Sequence, residues 1–578
     1  MWTVAPKKQS FAFVFPQWVG HLNPSLPIAR RLRELGHEVH YVCHEFVRDK
    51  IEATGATFHS AVGCHPELYN GRGGDFFSMF ANLKEEFGVE PERTGVALWQ
   101  LRNVMVELQL PVLLRLFRDL KPDGVVFCPL SSPEGGVAAE AAGVPSIALN
   151  TFAGPGALTT AVSECLAVEK VTLEDLDSTR RTWAPNLAAI HRLRRRFGVR
   201  LEAGMPGALG YLEGIASAAV TLTTTLEELQ DPMSPELEAD YNKAGATFAA
   251  VGPLLDNAGG WRPLSEAGGT KHGACDYVAQ AQAARAAGRP VVLVSMGTVV
   301  TGDMPFWGWR GRATGADGRS MGLSGKELCH AAWAAAFDAF GTTDADKGAL
   351  ILVSVGTQPD ALDGISCPAN AVCSSFLPQV DILRAGVDIF LTHGGQNSFT
   401  ESLAQGVPVV VCPGFSDQIV NSRKAVALGV GLKVDRPNPQ GGQEAIEAAI
   451  AQYREDVHRA LLKVFTEPEY HNAARGVAHR MRGAGGVTLA VDLVLQAAGS
   501  KCSSAPQIAA GGQEQEGVKV DAGLMLCAAN KIEGQATMMM RFEQAARDSC
   551  TDEQSLPHVA AFVDFADHCK CVGAAGGC

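Results

Sequence analysis

Short apolar runs alternate along the chain with longer stretches in which apolar residues recur every three to four positions. A first set of runs lies at Phe11–Phe15, Val39–Cys43, Thr57–Ala61, Val125–Phe127, Ile147–Leu149, Ala218–Thr223 and Phe248–Ala250. A second lies at Pro290–Ser295, Leu350–Ser354, Ala371–Ser375, Val387–Leu391 and Val407–Val411. Nearly unbroken runs such as Val387–Leu391 mark strands buried on both faces, as in parallel sheets. Between them the spacing predicts helices. Ile28, Leu32 and Leu35 share one face, Pro24 suits a first turn, and Gly36 suits the position just past a last one. Further helices are expected at Lys326–Phe340, Gln443–Tyr453, Val457–Phe465, Tyr470–Arg482 and Val487–Gln496. Repeated strand–helix–strand units of this kind make an α/β protein.

The pattern fails in three places. Gly63–Arg93 is glycine-rich and expected to be irregular, with Phe76, Phe77 and Phe80 interspersed. Thr301–Gly325 is a Gly/Arg/Trp insertion without a period, expected to be a lid or a disordered segment. After residue 498 the composition becomes linker-like. These breaks divide the chain into an N-terminal Rossmann-like domain (10–252), a linker (253–289), a second Rossmann-like domain (290–498) and a C-terminal extension (499–578). The extension carries Cys502, Cys527, Cys550, Cys569, Cys571 and Cys578, and its role is not legible.

Bulk numbers narrow the function. A length of 578 residues calls for more than one domain. A net charge of -13 repels nucleic acid. No apolar run approaches the length of a membrane span, so no transmembrane segment is expected. No secretory leader is expected at the first residues, and fifteen cysteines show no spacing framework, so the expected compartment is reducing and cytoplasmic. His568-Cys569-Lys570-Cys571 looks like a fragment of a metal site, but a second pair is missing and no metal is expected.

The chemistry concentrates between Phe376 and Asp435. Thr392-His393-Gly394-Gly395 forms a glycine turn after a strand, and a helix opens at Gln396–Ser398. Open α/β sheets bind ligands at the carboxyl ends of their strands. A helix start there offers unpaired N–H groups and a positive dipole end to a phosphate. Gly394 and Gly395 let the backbone approach an anion, and His393 can donate to its oxygen. Glu401 lies one helical turn past Asn397, placed to grip a ribose diol, and Asp417 and Gln418 follow within reach of a sugar. In the first half, His21 stands just before a helix, whose dipole should keep the imidazole neutral, as a general base requires.

This arrangement resembles the nucleotide-sugar box of the inverting UDP-glycosyltransferases, which include plant secondary-product and bacterial macrolide glycosyltransferases. The residues carrying the likeness are Pro378-Gln379, the HxGxNS pattern at His393–Ser398, Glu401, Gly406-Val407-Pro408 and Asp417-Gln418. Glycosyltransferase-like sequence covers roughly residues 10 to 498. The resemblance implies a GT-B fold, two Rossmann-like domains facing across a cleft. It implies donor contacts from Ser295, Gly297, Thr298, Phe376, Gln379, His393, Gly395, Asn397, Ser398, Glu401, Asp417 and Gln418. Phe376 would face the uracil and Gln418 points to glucose, while Gln396 stands where a tryptophan is frequent.

Gly20-His21-Leu22-Asn23-Pro24 matches the place of the family's base. The aspartate that usually orients that base is replaced by Cys128. Either Glu134 substitutes as a catalytic partner, or His21 works without a charged partner, or activity is low. The implied reaction is metal-independent, inverting transfer of glucose from a UDP-sugar to a small lipophilic hydroxylated acceptor. No cofactor is implied, the UDP-sugar being a substrate. A non-catalytic UDP-sugar-binding protein and a UDP-sugar epimerase of similar fold are the alternatives.

Overall fold

The apolar runs assemble into two parallel sheets. In the computed structural model, residues 8–90, 94–205, 211–255, 276–304, 307–314, 320–439 and 441–499 are described. The first sheet contains β1 (Ser10–Val14), β2 (Glu38–Cys43), β3 (Thr57–Ser60), β4 (Gly124–Phe127), β5 (Ser146–Asn150), β6 (Val220–Thr223) and β7 (Phe248–Ala250). Their order is β3-β2-β1-β4-β5-β6-β7. The second contains β8 (Val291–Ser295), β11 (Leu350–Ser354), β12 (Ala371–Ser374), β13 (Ile389–Thr392), β14 (Val409–Val411) and β15 (Gly431–Lys433). Here the order is β12-β11-β8-β13-β14-β15. The numbers β9 (Ala313–Thr314) and β10 (Ser320–Met321) belong to a small antiparallel pair.

Each large sheet is wound outward in both directions from its first strand, so chain order reverses between β1 and β4 and again between β8 and β13. Loops leaving those strand pairs diverge and open a crevice, where α/β sheets take ligands. Register brings the chemistry level. Ser295 pairs with Thr392, and Thr392 with Val411, at the carboxyl ends of β8, β13 and β14. In the first sheet Val14 pairs with Phe127, which in turn pairs with Ala148.

Several expectations need correction. The segment 63–93 is not irregular throughout. A helix runs over Phe76–Glu86, capped by Asp75, whose carboxylate accepts from the N–H of Phe77 (2.9 Å) and Ser78 (3.0 Å). Met79, Phe80 and Leu83 supply its buried face. The two helices expected at 443–465 are one, Gln443–Thr466. The charged group at its middle faces solvent, where Arg454 pairs with Asp338 at 2.6 Å.

Part of the expected linker belongs to the second half. Helix Tyr277–Ala286 buries Ala281 and Ala284 in the same apolar cluster as Val291 and Leu293; residues 256–275 lie outside the described residues. The last described helix, Gly486–Gly499, does not complete the second domain as expected. Its buried Ala490, Val491, Val494 and Ala497 join Phe11, Ile28 and Leu32 in the core of the first sheet. A buried valine is worth about 1.5–3 kcal/mol, so this helix is a substantial part of that core.

The insertion is neither a free lid nor disordered in its described part. Trp309 is fully buried and donates from Nε1 to Asp360 Oδ1 (2.9 Å), and Lys326 binds the other oxygen of Asp360 at 2.8 Å. Trp309 and Leu323 lie in the main apolar cluster of the second half beside Trp333. Residues 305–306 and 315–319 of the insertion, and the extension from 500 onward with its His568–Cys571 motif, lie outside the described residues.

Candidate active site

The donor-side residues converge as a set. Helix Gln396–Ala404 starts after Gly395, directly beyond the end of β13. His393 is wedged between two turns without side chains. A Cβ on Gly297 would sit 2.4 Å from His393 Nε2, and one on Gly395 only 2.6 Å away. Gly297 also has φ +78, so both the backbone and the space demand glycine. The loop is further tied by Asn421, a buried residue the sequence reading passed over, which donates to the Gly394 carbonyl at 2.9 Å. No motif pointed to Asn421; its helical offset of one turn from Asp417 was the available signal.

Behind the helix start, the Gln379 amide donates to Glu401 Oε2 (2.6 Å) and to Ser398 Oγ (3.1 Å). All three side chains are buried. Glu401 therefore shares its face with Ser398. Asn397, expected beside it, turns instead toward the first half. Phe376 is half-buried, and its carbonyl accepts from Ser374 Oγ at 2.9 Å. Ser295 and Gly297 are partly covered and Thr298 is exposed, all at the end of β8.

Asp417 and Gln418 are committed to local bonds. Asp417 Oδ2 accepts the Gln396 N–H at 2.8 Å, so that amide of the helix start is already capped. Burial pushes the Asp417 carboxyl above its ordinary value, against this N–H and the nearby His21. Gln418 Oε1 accepts from Gly414 N (2.8 Å) and holds the turn before the helix. In that turn Ser416 adopts φ 56 and ψ -133, a strained conformation for a residue with a side chain. Phe415 beside it stacks on Trp307 of the insertion, centroids 4.5 Å apart. The Gln396 side-chain oxygen is buried without a hydrogen-bond partner among the described residues.

On the first sheet, His21 lies in the short helix Val19–Leu22 after β1. Cys128 and Thr151 each follow immediately on β4 and β5, so three adjacent strands deliver them to one place. Thr151 Oγ1 is 3.0 Å and Cys128 Sγ 3.4 Å from His21 Nδ1. Phe152 meets the ring edge-on at 5.8 Å. His21 is lowered to about 4 by burial, with Asp417 pulling the other way. Burial therefore favours the neutral ring.

Among the described residues, Glu134 is not brought into hydrogen-bond contact with His21. It is buried at the start of helix Pro133–Ala142, and burial pushes it up to about 7 although the Arg102 charge opposes this. Thr151 occupies the contact instead, a residue sequence reasoning missed although it sits at a strand end.

The two halves meet at this point. Asn397 Nδ2 donates to the Gly20 carbonyl at 2.9 Å, one residue from His21. Ser416 Oγ donates to the Ala161 carbonyl (3.3 Å), and Lys424 bridges to Asp231 at 2.5 Å. The donor-side helix start is therefore in contact with the short helix that carries His21.

Two wound parallel sheets with their switch points facing one cleft constitute the GT-B fold. Solved structures agree. The glycotransferase of kitacinnamycin matches with TM-score 0.52 and 22% identity, covering 85% of this chain and 100% of that one. CalG4, the calicheamicin glycosyltransferase, matches with TM-score 0.51 and 19% identity over 85% and 99%. Residues 346–467 match the family described as "UDP-glucoronosyl and UDP-glucosyl transferase". NDP-glycosyltransferase YjiC of Bacillus licheniformis is 24% identical, over 80% of this chain and 93% of that protein. Oleandomycin glycosyltransferase of Streptomyces antibioticus is 25% identical, over 82% and 87%. The chain thus has the GT-B fold, carries a UDP-glycosyltransferase domain match within its second half, and is similar over most of its length to glycosyltransferases. Among the described residues no helix is long and apolar enough to cross a membrane.

Proposed function

We propose that the protein transfers glucose from UDP-glucose to a hydroxyl of a small lipophilic acceptor, inverting the anomeric centre. One observation carries this reading: Asn397 of the donor box donates to the carbonyl next to His21, which sets the proposed donor side beside the proposed base. The acceptor oxygen gives its proton to His21 Nε2 and bonds to the anomeric carbon from the face opposite the diphosphate. The carbon–oxygen bond to the diphosphate breaks, and UDP leaves with that electron pair. His393, Ser398 and the helix-start amides stabilise the departing charge. Glu401 takes the ribose, Phe376 the uracil, and Asp417 with Gln418 the sugar. Phe152, edge-on to the His21 ring, favours a lipophilic acceptor. The relatives named for oleandomycin and calicheamicin support a small-molecule acceptor.

Removing a general base costs about 10²–10⁴ in rate. His21→Ala is expected to lose transfer by that factor while still binding UDP-glucose, read by isothermal calorimetry beside a product assay by mass spectrometry. Unchanged transfer in His21→Ala removes the base from the mechanism. A second reading, a UDP-sugar-binding protein without catalysis, is favoured by the missing carboxylate at Cys128. UDP-glucose binding by the wild type with no transfer to any of a broad set of hydroxylated acceptors would select it.

A further inference from the structure

His21 is held through one atom by two neutral groups. Its Nδ1 lies 3.0 Å from the Thr151 hydroxyl and 3.4 Å from the Cys128 sulfur, and neither neighbour carries a charge. The thiol stays protonated, because burial pushes it up to about 11. A neutral imidazole has one N–H and one lone pair, on opposite nitrogens. With the proton on Nδ1, the threonine oxygen and the sulfur both accept, and the Nε2 lone pair is left for the acceptor hydroxyl. With the proton on Nε2, the ring has nothing to offer as a base on the side away from these two groups.

We propose that Thr151, seconded by Cys128, is the positioning residue for His21, its hydroxyl oxygen accepting the Nδ1–H so that Nε2 serves as base in a site with no carboxylate behind the ring. This rests on the base reading above. The β5 end offers Thr151 and Phe152; the β4 end offers Cys128, with Glu134 beyond it facing Arg102. The second half contributes Asp417, the acidic group whose charge favours imidazolium. A carboxylate behind the ring would strengthen the base by stabilising its cation. Here the ring is oriented but left weakly basic, which keeps it unprotonated well into acid.

The test is ¹⁵N NMR of the histidine rings in full-length protein, with the His21 signal assigned by its loss in His21→Gln. The expected wild-type ring carries its proton on Nδ1. Thr151→Val should lose that tautomer preference and Thr151→Ser should keep it, with UDP binding confirming that each variant is folded. Cys128→Asp should raise the pH at which the His21 signal titrates. In turnover, Thr151→Val should lower kcat about tenfold at unchanged donor KM, the effect of one lost orienting hydrogen bond. A wild-type ring protonated on Nε2, or a tautomer unmoved by Thr151→Val, overturns the proposal. Full transfer by His21→Ala would instead sink the base reading itself, so the two failures are told apart.

Discussion

The two walls of the cleft were built under different rules. On the donor side the polar side chains are tied to near neighbours: Gln379 to Glu401 and Ser398, Asp417 to the Gln396 backbone N–H, and Gln418 to the Gly414 turn. On the acceptor side the base candidate has, among the described residues, a hydroxyl and a thiol behind it. A diphosphate requires fixed donors at fixed distances, so residues that meet it tolerate little exchange. Orienting a neutral ring requires only an acceptor at Nδ1, and several residue types supply one. The difference explains how this chain can keep the donor motif while departing from the family pattern at Cys128.

Five substitutions would break or sharpen that contrast. The largest effect is expected from Trp309→Ala, which empties a fully buried site in the apolar core of the second half. It should cost about 3–5 kcal/mol of stability, read as a lowered denaturation midpoint. A wild-type midpoint would return the insertion to the status of a loose lid. Next, Glu401→Ala removes a carboxylate bonded to a buried amide. Leaving such a group unpaired costs about 1–3 kcal/mol, so UDP-glucose affinity should fall roughly five- to a hundredfold, by calorimetry. Cys128→Ala should leave that affinity alone. Equal losses in the two variants would erase the distinction between the walls.

Trp307→Ala removes a stacked partner of Phe415 worth about 0.5–1.5 kcal/mol. Donor KM should rise a fewfold, because Phe415 adjoins the strained Ser416 that leads into Asp417. An unaltered KM would disconnect the insertion from sugar binding. The smallest change is expected of Lys424→Met, which breaks a bridge between the halves to Asp231. The pair is largely covered, so its attraction is offset by desolvation and little screened by salt, and the effect on kcat/KM should stay below tenfold at low and high salt alike. A loss beyond tenfold would mean that the bridge, more than the Asn397–Gly20 contact, sets the cleft.

Legibility followed the same divide. Strands such as Val291–Ser295 and Ile389–Thr392 were readable because parallel strands covered on both faces must be apolar without interruption. The donor motif was readable because local order puts its residues on one turn and one helix start. Thr151 was not, since its contact with His21 spans 130 positions and threonine at a strand end carries no signature. Trp309 lay in a glycine-rich stretch whose burial depends on Asp360, fifty-one residues away. The helix Phe76–Glu86 was hidden by the glycines that precede its Asp75 cap. The apparent break in Gln443–Thr466 came from charged residues on a solvated face, which propensity tolerates well.

The closing helix Gly486–Gly499 has a practical consequence for anyone cutting this protein in two. Its apolar stripe roofs strands laid down at the very beginning of the polypeptide. A fragment ending at the border between the sheets would lack that roof and present a greasy furrow to water, whereas supplying 486–499 as a separate peptide should restore its solubility. During synthesis, too, the first sheet must wait for nearly five hundred residues before its last wall arrives.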